Sequence, residues 1–304
     1  MLFKEILERF QPEVDLALDE LFNAVKSNQT HEQDLLLVNI NASYQDYLDK
    51  PTTHLSPFVY GPGGWIAFAD RTQLDFFASY SMMVRDISRE EYFQDYSTNI
   101  TKQGEYEFLL QMELMIYLKF WESEPTLRRL YQLSTLAQGK NYDWYFKLGK
   151  RERLIRKKIR DRIQIQCPKY YHLLKDIYLS QIRNAAAHTQ FYLIRPNTRL
   201  GFTNYKEKVA PLTQIEFYEW GIRFHKLVLL YNGLLERLNN SYLEYIDEQK
   251  DKHYGLQIRI PKISLASDMS FIKYVDIGRK DWMWYVIWSK YHNERSHFFI
   301  DRFQ

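Results

Sequence analysis

The chain has 304 residues, 45% of them hydrophobic and 26% charged, which excludes collagen-like, mucin-like and wholly disordered classes. Forty-one Lys and Arg against 38 Asp and Glu leave a net charge of +3, which argues for no particular partner. The single cysteine, Cys167, excludes an intrachain disulfide framework and a multi-cysteine zinc site. With 24 Tyr, 19 Phe and 7 Trp but only 11 Gly and 9 Pro, breakers are few and large side chains many, so the fold is expected to be mainly helical.

No stretch approaches the roughly 18 apolar residues of a membrane span. Glu5 and Glu8 stand where a signal peptide would need an apolar run. A soluble, cytoplasmic protein without a membrane partner is expected.

In chain order, Phe3, Ile6, Leu7, Phe10, Val14, Leu18, Leu21, Phe22 and Val25 form a 3.6-residue stripe over 2–25, with Pro12 a potential bend. A second helical pattern covers about 31–50. Residues 51–64 hold Pro51, Pro57, Gly61, Pro62, Gly63 and Gly64 and predict a loop. Its GPGG lacks the Lys-Ser/Thr of a phosphate loop. Helical patterning resumes near 72–95 and from 105 to 137, with a restart at Ser123-Glu124-Pro125 and a break at Gly139 and Asn141. A helix over about 142–166 and another opened by Pro168, burying Tyr170, Leu173, Leu174, Ile177, Tyr178, Ile182 and Ala185, follow.

After Thr189 the period changes, and FYLIRPNTRLGFTNY predicts two short strands around Pro196-Asn197. Thr213-Gln-Ile-Glu216 reads as a capping box, with Leu212 and Phe217 at staple positions, opening a helix to about Lys250. The segment 255–304 is rich in β-branched and aromatic residues and predicts strands. Three regions result: 1–104, an N-terminal helical region; 105–250, a helical domain; and 251–304, a small β-rich segment.

The chemistry concentrates at Arg183-Asn184-Ala-Ala-Ala-His188, where a cation, an amide and an imidazole fall within six residues near a helix end. The intervening alanines permit close approach of a backbone or a phosphodiester. An imidazole titrating near neutrality moves protons, and a guanidinium holds a phosphate bidentately. Metal-free RNA cleavage needs both: one group for the proton of the 2′-hydroxyl or leaving oxygen, one for the charge on phosphorus. Only Arg85, Arg160 and Arg183 precede Asn, Asp or His.

Upstream lie Lys147, Lys150, Arg151, Arg153, Arg156, Lys157, Lys158, Arg160 and Arg162, facing only Glu152 and Asp161. This stretch carries +7 while the remainder sums to −4. Such a helix attracts a nucleic-acid backbone through phosphate contacts and counterion release. Its bland alternative is a solvated helix face.

Arg183-Asn184-x3-His188 resembles the R-polar-x(3–5)-H signature of HEPN domains, all-helical modules of bacterial toxins, phage-defence effectors and CRISPR-associated ribonucleases. The resemblance implies a HEPN-like helical bundle over about 100–150 residues, to which the sequence pattern adds a short β-hairpin after the motif helix and the small C-terminal β-rich segment, α+β overall. It further implies a homodimer cutting RNA without metal or cofactor, with Arg183 and His188 catalytic, Asn184 positioning them, and an antitoxin or regulatory partner. The expected RNA contacts are Lys150, Arg151, Arg153, Arg156, Lys157, Lys158 and Arg160.

On a straight helix Arg183 projects about 140° from His188, nearly opposite the apolar stripe that His188 approaches. The motif therefore needs a distorted helix end or a partner chain. Two rival readings remain: a non-catalytic HEPN-like module binding nucleic acid or protein, and a helical interaction protein in which His188 is a core histidine and Arg183 a solvated cation. His172 is expected at the surface and Cys167 inert. His225, His253, His292 and His297 show no metal-ligand spacing. Trp282, Trp284, Tyr285 and Trp288 could stack bases but more commonly line a buried sheet face.

Overall fold

Val14, Ala17, Leu18, Leu21, Phe22 and Val25 recur at helical spacing and are all buried, so the first apolar stripe forms α1 (Lys4–Asn28), which continues through Pro12. The computed structural model describes residues 4–29, 34–35, 38–39, 58–61, 64–67, 76–80, 82–84, 100–140, 148–194, 199–204, 212–248, 257–259, 271–276, 282–287 and 297–298. The second helical pattern is helical at 34–35 and 38–39, and the third at 76–80 and 82–84. The rest of both lies outside the described residues.

The breaker-rich segment is not simply a loop. Strands β1 (Phe58–Gly61) and β2 (Gly64–Ala67) pair antiparallel, with Gly61 opposite Gly64. Breakers ended one element and allowed another on either side.

Helix α2 (Ile100–Glu122) stops at Ser123, whose N–H donates to the Lys119 carbonyl at 2.9 Å, and α3 (Glu124–Leu136) restarts as the sequence predicts. The following break is also where expected. Gly139 has φ +67°, a conformation glycine adopts without steric cost, and its N–H donates to Leu136. Asn28 Nδ2 reaches the Ala137 carbonyl at 2.9 Å.

The basic stretch differs from a uniform helix over 142–166. Residues 141–147 lie outside the described ones and 148–150 are not helical. One α-turn, α4 (Arg151–Arg153), runs into a π-helical segment, Leu154–Arg160, and a 3₁₀ turn, Asp161–Ile163. The wider winding places Leu154, Ile155, Ile159 and Ile163 inward.

Pro168 opens α5 (Pro168–Ile177), as predicted, but the helix ends at Tyr178 and α6 (Ser180–His188) begins anew. Strands β3 (Phe191–Ile194) and β4 (Arg199–Phe202) form the expected hairpin, with Ile194 opposite Arg199. A Cβ at Gly201 would lie 2.5 Å from the exposed ring of Tyr192, its cross-strand neighbour, so a larger residue there would push that ring aside.

A third strand, β5 (Gln214–Glu216), replaces the predicted capping box. Thr213 accepts the Phe202 N–H at 2.9 Å and Gln214–Glu216 pair with Arg199–Gly201, so helix α7 (Phe217–Glu248) starts later. Gln-Ile-Glu alternates exposed, buried, exposed, and the free edge of β4 supplied ladder bonds that the cap could not match. At the C-terminus β6 (Gln257–Arg259), β7 (Phe271–Asp276), β8 (Trp282–Ile287) and β9 (His297–Phe298) make the expected β-rich segment, an antiparallel sheet in that order.

The fold is thus mainly helical with small antiparallel sheets, and no described helix is long and apolar enough to cross a membrane. The chain forms two units interleaved in sequence. One comprises Met1–Leu21, Thr72–Ser123 and Lys150–Leu234; the other comprises Phe22–Arg71, Glu124–Gly149 and Leu235–Gln304.

The first unit has an aromatic core. Tyr117 packs edge-on to Trp220 at 5.3 Å, Trp121 to Tyr178 at 4.7 Å, and Tyr80 to Phe224 at 5.7 Å. Glu113, fully buried among them, accepts from Tyr80 at 2.5 Å and Trp220 Nε1 at 2.7 Å. In the second unit α3 is buried along nearly its whole length.

Candidate RNA-binding and cleavage site

The site is built around a helix break. Tyr117, in the core of α2, places its hydroxyl at the α5–α6 junction, accepting from the Leu179 N–H at 2.9 Å and donating to the Ile177 carbonyl at 3.1 Å. Two of the backbone groups freed by the break are thus satisfied by one side chain. The break lets Tyr178 turn onto Trp121 and resets the helical phase.

Consequently α6 buries only Ile182 and Ala185, and the straight-helix projection fails at both ends of the motif. His188, expected beside the apolar stripe, is exposed; Arg183, expected opposite it, is 19% exposed in its side chain. The helix is regular from Ser180 to His188, so no distortion falls between Arg183 and His188. Thr189, a β-branched residue, sits at φ +54° and ψ +38°, a strained left-handed conformation that ends α6 directly after His188. The next residue ties back through the Gln190 N–H to Ala185 at 2.9 Å. The start of α6 is held to the sheet region: Gln181 accepts the Leu212 N–H at 3.1 Å, and its carbonyl accepts from Asn204 Nδ2 at 2.9 Å.

Arg183 and Asn184 are brought together, with Arg183 Nη1 donating to Asn184 Oδ1 at 2.7 Å. Arg183 Nη2 donates to Glu122 Oε1, at the end of α2. Arg183 Nε is buried and meets no acceptor among the described residues. Burial draws its guanidinium below the ordinary arginine pKa. Among the described residues no hydrogen bond or ion pair joins His188 to Arg183 or Asn184.

Glu122 is the residue that sequence reasoning missed. Its second oxygen lies 2.9 Å from Arg151 Nε, so one half-buried carboxylate bridges a motif arginine and the first arginine of the basic helix. No spacing rule marks it, because it comes 61 residues before Arg183. Only its place as the last residue of α2 gives it reach.

The basic stretch divides by exposure. Lys150, Arg153, Arg156, Lys157 and Lys158 are exposed, whereas Arg151, Arg160 and Arg162 are half-buried. Arg156 pairs with Glu152 at 3.0 Å, and Lys157 with Asp161 at 3.2 Å. Arg160 pairs with Asp161 at 2.6 Å and lies over the Tyr171 ring at 5.9 Å. Against the upward push of burial, hydrogen bonds from Arg160 and Lys157 hold the Asp161 carboxyl below its ordinary value. The stretch therefore combines an exposed cationic surface with half-buried arginines, among them Arg160 and Arg151, that are held by carboxylates.

The remaining candidates fall where their chemistry is quiet. His172 is exposed, as expected. Cys167 is buried, and burial followed by the Glu20 charge pushes its thiol up to about 12, consistent with an inert residue. His225 is buried, with Nδ1 at 2.6 Å from the Gly221 carbonyl, and burial depresses it to about 3. Trp282, Trp284 and Tyr285 lie on β8; His253, His292 and Trp288 lie outside the described residues. Among the described residues no three His, Cys, Asp or Glu side chains cluster as metal ligands.

No family model, curated protein or solved structure matches the chain.

Proposed function

We propose that the chain is a HEPN-type, metal-independent endoribonuclease that acts as a homodimer, with Arg183 and His188 as its catalytic pair. The observation that carries this reading is the end of α6: Arg183 hydrogen-bonded to Asn184, and His188 exposed where Thr189 stops the helix. On this reading the His188 imidazole moves the proton of the 2′-hydroxyl or the leaving oxygen, and Arg183 stabilises charge developing on the phosphoryl oxygens. The exposed cations of the basic stretch hold the RNA backbone. A role in growth arrest or phage defence, restrained by an antitoxin or regulatory partner, follows from the resemblance alone.

The test is incubation of the protein and its His188→Ala variant with total RNA in EDTA, with chemical reading of fragment ends. Cleavage by the wild type only, leaving 2′,3′-cyclic phosphates, is expected. Equal cleavage by both forms would remove His188 from the reaction.

A second reading, a non-catalytic module binding nucleic acid or protein, is favoured by one observation: Arg183 is held by Glu122 in a half-buried ion pair. RNA binding that weakens with salt but shows no turnover selects it.

A further inference from the structure

Two guanidinium groups from separate elements, Arg183 on α6 and Arg151 at the start of α4, converge on the single carboxylate of Glu122. All three side chains are partly accessible, at 19%, 27% and 35% respectively, so the cluster is open to solvent. A carboxylate and a phosphodiester both present two anionic oxygens to arginine, and the guanidinium fork accepts either. We infer that Glu122 occupies the position of a substrate phosphodiester, and that Arg183, Arg151 and Asn184 form an oxyanion subsite from which the RNA backbone displaces this internal stand-in. The inference rests on the RNA reading above and adds to it a residue that sets affinity.

Two details fit displacement better than a purely structural bridge. Arg183 has donors to spare: its Nη1 serves Asn184, its Nη2 serves Glu122, and its buried Nε–H has no acceptor among the described residues. A phosphate meeting the Nε and Nη2 edge would satisfy both. Asn184, whose Oδ1 is held by Arg183, carries at Nδ2 the donor that a second phosphate oxygen would meet. In the chain without RNA, Glu122 neutralises charge that would otherwise repel between two neighbouring cations. It thereby keeps the subsite assembled and weakens its hold on ligands.

The test measures binding of a fluorescein-labelled single-stranded RNA by anisotropy across a salt series, in a His188→Ala background so that no cleavage intervenes. Adding Glu122→Gln should tighten binding by about 3- to 10-fold and steepen the salt dependence, by about 0.7 in log–log slope for each cation released to a phosphate. The same substitution should lower the melting temperature, because two guanidinium groups then lack their shared counterion. Adding Arg183→Gln should abolish the gain. Unchanged or weaker binding by a folded Glu122→Gln protein whose parent binds RNA overturns the inference and leaves the RNA reading intact. Absence of RNA binding by every form at low salt overturns both. Should Glu122→Gln not fold, Glu122→Asp serves the same purpose. It keeps the charge but is one methylene too short to span both arginines, so a smaller gain supports displacement and no gain overturns it.

Discussion

Tyr117 decides where Arg183 points. Its ring is wedged among Trp121 and Trp220, and its hydroxyl stitches the α5–α6 break. Burial pushes the phenol above its ordinary pKa, so the group remains a neutral donor and acceptor. Tyr117→Phe keeps the packing but leaves the half-buried Leu179 N–H and the buried Ile177 carbonyl without this partner. That costs about 1–3 kcal/mol of stability, read as a lower urea midpoint at unchanged slope. If Arg183 depends on the break for its position, RNA cleavage falls with it. A stability loss without any change in RNA binding or cleavage would show that α6 holds its course by other contacts. Arg183, Asn184 and His188 were legible in the sequence because they are neighbours. Glu122 was not, since its role depends on where two helices end in space.

At the scale of elements, periodicity located what burial alone decides. The Ser123 restart, the Gly139 stop, Pro168 and the β3–β4 hairpin all carry local signals that no tertiary partner opposes. The Thr213 box and the unbroken helix after Pro168 each had a sound local reading that lost to a distant partner, the edge of β4 and the Tyr117 hydroxyl, whereas the GPGG segment differed because its own flanks pair with each other. The π-helical winding of Leu154–Arg160 was invisible because α and π repeats differ by less than one residue per turn.

That winding leads to a prediction for RNA binding. It turns Leu154, Ile155 and Ile159 inward and leaves Lys158 exposed, as Lys150 and Arg153 are just before it, while Arg160 is held by Asp161 and Tyr171. Replacing Lys150, Arg153 and Lys158 together by Gln should flatten the salt dependence of single-stranded RNA affinity by about 2 in log–log slope. Arg160→Gln should do the opposite, lowering stability with little effect on the slope. Equal slopes for the triple variant and the wild type would assign the stretch to its solvated-face reading.

At the scale of the whole molecule, two adjacent residues of α7 tie stability to pH in opposite directions. Burial depresses His225 to about 3 against an ordinary 6.5, so the folded state keeps it neutral where the unfolded state binds a proton. Its contribution is complete above pH 6.5 and is lost as pH falls toward 3, at up to about 1.4 kcal/mol per pH unit. Lys226 acts at the other limit. Burial pulls it down, but hydrogen bonds at 2.8 Å to Asp176 and to Glu13 raise it above its ordinary 10.5. Its contribution is present below pH 10.5 and is lost as pH climbs through the raised value. Asp161, held below 3.8, adds a loss only under more acidic conditions, which separates it from His225.

Stability should therefore be flat between about pH 6.5 and 10.5 with respect to these groups and fall on both sides. Thermal unfolding followed by circular dichroism across pH 4 to 11 reads the profile. His225→Gln, whose amide stays uncharged at every pH, should flatten the acid limb between pH 6.5 and 4. Lys226→Met should lower stability throughout, because Glu13 and Asp176 lose their shared cation, while an alkaline limb persists: burial raises the Cys167 thiol and the Tyr117, Tyr170 and Tyr178 phenols, whose contributions are also lost as pH climbs. An acid limb that survives in His225→Gln would move the acid sensitivity to carboxylates elsewhere in the fold.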